Sequence, residues 1–150
     1  MKMPGNPISI SAGLILYIFS QQLAQAACSQ PELAGTWYTY SMSVDSYAVY
    51  ASRTNRCKIK LNSTGSIVAS KSSCKLRDYS GVFTVPVAGG DIKVKSNCSL
   101  NGNIKLITPD GISTVVMDYG RSAKEKQAFS VVVYDNHIPD FISHLIAVKR

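Results

Sequence analysis

From Gly35 to the C-terminus, short runs of β-branched and aromatic residues alternate with clusters of Gly, Asn, Asp and Ser, at intervals of about ten residues. Within the runs, apolar and charged positions alternate, as in Ile92-Lys93-Val94-Lys95. Successive side chains of a β-strand point to opposite faces, so this alternation predicts strands with one apolar face and one charged face. No segment has a convincing helical periodicity. The pattern therefore predicts an all-β domain of antiparallel strands.

The clusters between the runs predict tight turns. They are Asn62-Ser63-Thr64-Gly65, Gly89-Gly90, Asn101-Gly102 and Pro109-Asp110-Gly111. Such residues accept the positive φ that short hairpin connections require, and each cluster lies between two predicted strands. Consecutive strands are therefore expected to pair as hairpins. Because closure removes the exposed edges of such a sheet, we predict an antiparallel up-and-down barrel of about eight strands.

The first 26 residues have a different character. Lys2 and the N-terminal amine precede an apolar run from Ile8 to Phe19, and the small-residue segment Ala24-Gln25-Ala26 follows. This order is typical of a secretory signal peptide that is cleaved after Ala26. A membrane anchor is the competing interpretation, but the run has about twelve residues where a spanning helix needs about 20. Lipid attachment at Cys28 is a second alternative.

We therefore predict a signal peptide at residues 1–26 and a single β-barrel domain at residues 27–150. The domain has 124 of the 150 residues, which is enough to bury a core of its own. Cleavage removes one cation, so the formal charge changes from +7 to +6. The expected location is the periplasm or the extracellular space, and the mature chain is not expected to be an integral membrane protein.

All four cysteines follow the predicted cleavage site: Cys28, Cys57, Cys74 and Cys98. An even number in a small exported domain predicts two disulfides. Zinc is the alternative, but the chain has no C-x-x-C pair and no nearby histidine at ligand spacing. Three pairings are possible. We favour Cys57 with Cys74, which flank one short hairpin, and Cys28 with Cys98, which would tie the N-terminus to the body.

Lysines at alternating strand positions would form a basic stripe on the outside of the barrel if their strands are neighbours. They are Lys58, Lys60, Lys93, Lys95 and Lys105. Solubility and protection of strand edges explain such a stripe, and attraction to an anionic envelope surface is the functional alternative. An exported protein rarely meets nucleic acid, so we expect no nucleic-acid partner.

The segment Gly35-Thr36-Trp37 resembles the G-x-W opening of lipocalins and related calycin barrels. Met117-Asp118-Tyr119 is similar to the T-D-Y motif before their penultimate strands, and Lys149-Arg150 ends the last predicted strand. Avidins and bacterial periplasmic inhibitors of metalloproteases share the G-x-W start. The resemblance implies that Gly35 and Trp37 lie at the barrel base, where Lys149 or Arg150 packs over the indole.

The sequence offers no group of residues for catalysis. It has no G-x-S-x-G motif, its cysteines are assigned to disulfides, and its aspartates are scattered at turns. His137 and His144 are separated by Pro139 and fit no H-x-x-x-H metal site. We therefore expect no enzymatic activity, no metal and no cofactor.

The expected function follows from the barrel. A barrel of about eight strands has an interior that can hold one small ligand. We expect an exported, non-enzymatic binding protein for a small apolar or amphipathic ligand. The alternatives are a protease inhibitor or protein-interaction module of the same architecture, and a structural component of the envelope.

Overall fold

The computed structural model describes residues 27–44, 52–78, 80–123, 125–136 and 138–150. Eight antiparallel strands form a closed barrel in which neighbours in sequence are neighbours in space and β1 pairs with β8. The strands are β1 (Gly35–Val44), β2 (Ser52–Leu61), β3 (Ser73–Asp78), β4 (Gly81–Val94), β5 (Ser99–Thr108), β6 (Gly111–Ser122), β7 (Ala128–Asp135) and β8 (Ile138–Lys149). The predicted all-β up-and-down barrel is confirmed.

Two short 3₁₀ helices accompany the strands: Gln30–Leu33 before β1, and Ala69–Lys71 between β2 and β3. In the part of the chain that is described, no helix is long and apolar enough to span a membrane. The predicted signal peptide at residues 1–26 lies outside the described residues, and so does His137.

The two ends of the barrel differ. We call one end the base: there the helix Gln30–Leu33 packs beside the start of β1, together with the β2–β3, β4–β5 and β6–β7 connections. We call the other end the mouth, where the β3–β4, β5–β6 and β7–β8 connections lie. Fully buried side chains include Leu33, Trp37, Ile59, Leu61, Ile92, Met117 and Val131. They fill the base half of the interior.

The predicted alternation sorts the side chains in the way that the sequence pattern indicates. Strand β1 is the exception, because aromatic residues on both of its faces left the inward face undecided; the structure buries Trp37, Thr39 and Ser41 and exposes Tyr38 and Tyr40. On β2, from Arg56 to Leu61, the inward positions hold Cys57, Ile59 and Leu61, and the outward positions hold three cations. Such a period of two is what a sheet with one buried face requires.

Two of the four predicted turns are wrong. Gly89-Gly90 lies within β4, whose pairing with β5 shifts register between Val87 and Gly89. Asn101-Gly102 lies within β5, whose pairing with β6 shifts between Leu100 and Gly102. A Cβ on Gly102 would lie 2.8 Å from the Cα of Ile92, so glycine permits close contact between backbones there. At both places the strand bulges and continues, because glycine also serves β-bulges.

The other two turns are confirmed. Pro109 and Asp110 connect β5 to β6. Asn62 begins the other turn, where its Oδ1 accepts hydrogen bonds from the backbone N–H of Thr64 at 3.0 Å and of Ser66 at 2.9 Å. The chain then forms isolated bridges to β2 and β4, which place the β2–β3 connection against the base.

Candidate functional site

Trp37 lies at the centre of the base. Its ring is fully buried and its centroid lies 4.9 Å from that of Phe129, with the two planes tilted by 51°. Its Nε1–H donates a hydrogen bond of 2.7 Å to the backbone oxygen of Leu33. A buried indole N–H needs such a partner. The hydrogen bond therefore ties the helix Gln30–Leu33 to β1 and closes the base.

Lys149 is the basic residue over the indole. Its Nζ lies 5.9 Å from the Trp37 ring centroid and donates a hydrogen bond of 2.8 Å to the backbone oxygen of Glu32. Gly35 has a φ of +144°, and a Cβ there would lie 2.6 Å from Cε of Lys149. Gly35, Trp37 and Lys149 thus meet at the base. The Arg150 side chain is exposed, and its backbone N–H donates to the backbone oxygen of Thr36 at 3.0 Å.

Glu32 is held by charged and backbone donors. Its carboxylate forms an ion pair with Lys126 and accepts a hydrogen bond of 2.7 Å from the backbone N–H of Ser29. These donors, Lys126 first, lower the pKa of Glu32 from 4.5 to about 2. The helix that closes the base is therefore fixed to the β6–β7 connection as well as to β1 and β8.

The structure joins the cysteines in the pairing that we favoured from the sequence. Cys28 and Cys98, with Cα atoms 5.0 Å apart, link the N-terminal segment to the β4–β5 connection. Cys57 and Cys74 are direct partners on β2 and β3, with Cα atoms 4.0 Å apart, and both are buried. None of the four is free. One disulfide fastens the base, and the other lies inside the barrel.

The mouth opens into a cavity of about 870 Å³, which we call the cup. Five successive strands, β3 to β7, contribute its apolar wall: Leu76, Val85, Leu106, Val115 and Val133. Polar side chains also line it: Asn55, Ser113, Asp135 and Ser143. The cup therefore presents an apolar surface together with a few hydrogen-bonding groups, the arrangement typical of small-molecule sites.

The polar groups of the cup form specific hydrogen bonds. Ser113 Oγ donates to Asp135 Oδ2 at 2.6 Å. Tyr134 points to the outer face of β7, because Val131 and Val133 point inward, and its hydroxyl donates to Asp118 Oδ2 on the outside of β6 at 3.3 Å. Partial desolvation and the neighbouring Asp118 carboxylate raise the pKa of Tyr134, so its hydroxyl stays protonated at neutral pH. Of these groups, Ser113 and Asp135 line the cup and can orient a bound molecule through hydrogen bonds.

The five lysines of the predicted stripe divide into two sets. Lys58 and Lys60 lie on β2, while Lys93 lies on β4, Lys95 directly after it and Lys105 on β5. Strand β3 separates the two sets. Lys93 is bound locally, because its Nζ lies 3.6 Å from Asp91 Oδ2 and donates to the backbone oxygen of Thr64 at 2.9 Å. The structure does not bring the five together.

Lys58 and Lys60 belong instead to a group that sequence reasoning missed. We call it the basic group, and its members lie on the outer faces of β2 and β3: Arg56, Lys58, Lys60, Lys75 and Arg77. Arg56 lies directly opposite Lys75. The sequence signal is the alternation in Cys74-Lys75-Leu76-Arg77, which marks β3 as a strand with a basic outer face.

The remaining candidate residues take ordinary positions. Met117 is buried in the core, while Tyr119 is 89% exposed with a φ of +54°, at the register shift between Asp118 and Arg121. His144 lies exposed on β8. Within the described ranges, no group of three or more His, Cys, Asp or Glu side chains is arranged to hold a metal ion.

The fold and its two ends define a class of protein: a small, disulfide-bonded, closed β-barrel of eight strands, with a closed base and, at the other end, a cup lined by described residues. Among solved structures, the chain is similar to a de novo designed fluorescence-activating β-barrel. The TM-score is 0.47 and the sequence identity 14%, over 78% of this chain and 93% of the designed chain. No protein-family model matches the chain, and no curated protein does so.

Proposed function

We propose that this chain is an exported, non-enzymatic binding protein that holds one small apolar or amphipathic ligand in the cup. The observation that carries the proposal is the cavity of about 870 Å³ behind the mouth, with an apolar wall from five strands. Small-molecule sites enclose roughly 300–1,000 Å³ and are lined mainly by apolar side chains with a few polar groups. The cup has this size and this composition.

The lining also favours one orientation of the ligand. Its apolar part would pack against Leu106, Val115 and Val133, where each buried CH₂ group contributes about 0.8 kcal/mol. Its polar part would face Asn55 and the carboxylate of Asp135. A carboxylate accepts several hydrogen bonds, so Asp135 favours a ligand that carries an N–H or O–H donor at its polar end.

Export is supported by two independent features. Residues 1–26 have the order of charged, apolar and small residues that secretory signal peptides have. Two disulfides lie in a domain of this size, and disulfides persist mainly in oxidising compartments such as the periplasm.

A distant relationship to calycin barrels is part of the same proposal. It is supported by the position of Trp37 on the first strand and of Lys149 on the last, with the ammonium over the indole. In this proposal the sealed base is a structural device, and binding takes place only at the mouth.

A fluorescence titration with the neutral apolar probe N-phenyl-1-naphthylamine tests the cup. We expect saturable binding by the wild-type protein to one site. Val115→Trp places an indole in the cup and should weaken binding by at least about tenfold, because the ligand and the side chain compete for one volume. Val148→Trp is the matched control: Val148 is exposed on the outside of β8, so binding should be unchanged.

Circular dichroism and the thermal midpoint show whether both variants fold like the wild type. Equal binding by all three proteins would place the probe elsewhere and would contradict the proposal. The absence of saturable binding by the folded wild-type protein would count against it as well.

A further inference from the structure

Exposed apolar side chains on the wall of the barrel are concentrated on two adjacent strands. Tyr38 and Tyr40 on β1 are each 43% exposed, and Ile146 and Val148 on β8 are 50% and 52% exposed. The register pairs Tyr38 with Val148 and Tyr40 with Ile146, so these side chains are neighbours on one outer face. Met42, 53% exposed, continues the row toward the mouth. Together they form an apolar surface that no described residue covers.

The basic group lies directly beside this apolar surface. Tyr38 is paired across β1 and β2 with Lys58, and Tyr40 with Arg56. The guanidinium carbon of Arg56 lies 5.5 Å from the centroid of the Tyr40 ring, so the basic group contacts the apolar surface. Lys75, which is paired with Arg56, extends the basic group from β2 onto β3. None of the residues in the apolar row or the basic group is acidic.

We propose that these two halves form one binding surface, the lateral face, for an anionic phospholipid bilayer. The lateral face consists of Tyr38, Tyr40, Met42, Ile146 and Val148 together with the basic group. Tyrosine rings and aliphatic side chains suit the boundary between head groups and acyl chains, and cations bind lipid phosphates. Binding of a protein surface to a bilayer increases with the apolar area that it buries and with its attraction to anionic lipids, and the lateral face supplies both.

The charge of the lateral face argues against a second copy of the chain as the occupant. Two apposed lateral faces would bring two sets of five cations together, in a chain whose formal charge after the predicted cleavage is already +6. Juxtaposed like charges oppose association. An anionic bilayer offers an apolar layer and the opposite charge at once. Bilayer binding by the lateral face is separate from ligand binding in the cup and does not depend on it.

Co-sedimentation with vesicles tests the basic half. The protein is purified as the cell exports it, with its N-terminus determined by mass spectrometry, and is mixed with vesicles of phosphatidylglycerol and phosphatidylcholine or of phosphatidylcholine alone. We expect the wild type to bind only the anionic vesicles. Near such a surface each cation raises the partition coefficient about fivefold, so Arg56→Gln/Lys58→Gln/Lys75→Gln should lower it on the order of a hundredfold.

The matched control removes the same number of charges from β4, β5 and their connection. Lys93→Gln/Lys95→Gln/Lys105→Gln should lower the partition coefficient by less than about fivefold, the effect of losing one cation that contacts the bilayer. Charges farther from the bilayer than a Debye length of about 10 Å are screened. An equal loss in both triple variants would show that net charge alone drives binding, and it would overturn the lateral face as a defined site.

Two further variants test the apolar half. Ile146→Thr/Val148→Thr keeps β-branched residues on β8 and should weaken partitioning about tenfold, because apolar burial in the bilayer is lost. Ile107→Thr/Ile112→Thr changes two exposed residues that face each other near the mouth, and it should leave binding unchanged. If Ile107→Thr/Ile112→Thr weakened binding and Ile146→Thr/Val148→Thr did not, the mouth and not the lateral face would contact the bilayer, and the proposal would be overturned. Dimerisation of the wild type that is lost in Ile146→Thr/Val148→Thr would likewise overturn it in favour of a second copy.

Discussion

At the scale of single residues, the base depends on a glycine and an indole that are two positions apart. Gly35 adopts a φ of +144° beside Lys149, and Trp37 places its N–H against the backbone of the closing helix. A side chain at position 35 would crowd the lysine that covers the indole. The packing at the base therefore explains why the G-x-W segment has glycine at position 35 and tryptophan at position 37.

Gly35→Ala should lower the free energy of unfolding by about 1–3 kcal/mol, because L-residues with a side chain rarely adopt this backbone conformation. Chemical denaturation measures the change. Gly111→Ala is a useful comparison, since Gly111 has a φ of +122° but no atom within 4 Å of a built Cβ. The loss of stability in Gly111→Ala therefore measures the effect of the backbone conformation alone, without a contact like the one with Lys149. An unchanged denaturation midpoint in Gly35→Ala would contradict this role of Gly35.

Glu32 should make stability depend on acid pH. Its pKa is lowered from 4.5 to about 2 in the folded protein, so its contribution is complete above about pH 4.5 and is lost as the pH falls toward 2. The difference in free energy of unfolding between the wild type and Glu32→Gln should therefore shrink over this window. Glu125→Gln, at an exposed position, controls for the loss of one negative charge.

A substitution at Lys126 tests whether the ion pair with Lys126 is the main cause of the lowered pKa of Glu32. Lys126→Gln should remove the larger part of this pH-dependent stability, since the backbone N–H of Ser29 still lowers the pKa of Glu32. Glu32→Gln/Lys126→Gln should lose no more of it than Glu32→Gln alone. A pH dependence that persists unchanged in Glu32→Gln would assign the acid sensitivity to other groups.

At the scale of strands, alternation predicted which face of β2, β4 and β5 is buried, because that property is local. It left the inward face of β1 open, because Trp37 lies on one face of that strand and Tyr38 and Tyr40 lie on the other. The two wrong turn predictions arose because glycine has two structural roles. Glycines mark turns, yet Gly89 and Gly102 form bulges inside long strands, and which use applies is decided by pairing with distant strands. The predicted basic stripe left out Lys75 and Arg77, because only Cys74 and Leu76 mark an apolar face on the six residues of β3.

The disulfide between Cys28 and Cys98 should account for a large share of the stability of the N-terminal segment. It closes a loop with a sequence separation of 70 residues. In the loop-entropy model, its removal costs about 4 kcal/mol. Denaturation of Cys28→Ala/Cys98→Ala measures this loss, with the reduced wild-type protein for comparison. A loss below about 1 kcal/mol would show that the other base contacts are sufficient.

Because this disulfide lies at the base, its removal should leave the cup intact at temperatures where the variant is folded. Probe binding by folded Cys28→Ala/Cys98→Ala should therefore equal that of the wild type. Lost binding would mean that the base and the mouth are coupled.

At the scale of the whole molecule, closure of the barrel follows from a series of hairpins, and this much could be predicted from the sequence. The cup could not. Inward residues such as Val115 and Val133 have the same pattern as those that fill the base, and the sequence does not show that the helix Gln30–Leu33 packs under one end while the cavity lies at the other. The basic group also depends on the order of strands, since β2 and β3 bring its members together.

Native mass spectrometry of the protein recovered as the cell exports it tests the central claim most directly. The wild-type protein should carry one small molecule whose mass adds to that of the chain. Val115→Trp, with the cup filled, should appear at the mass of the chain alone, while Val148→Trp should keep the bound molecule. A wild-type spectrum without any bound molecule, or an adduct that persists in Val115→Trp, would contradict ligand binding in the cup.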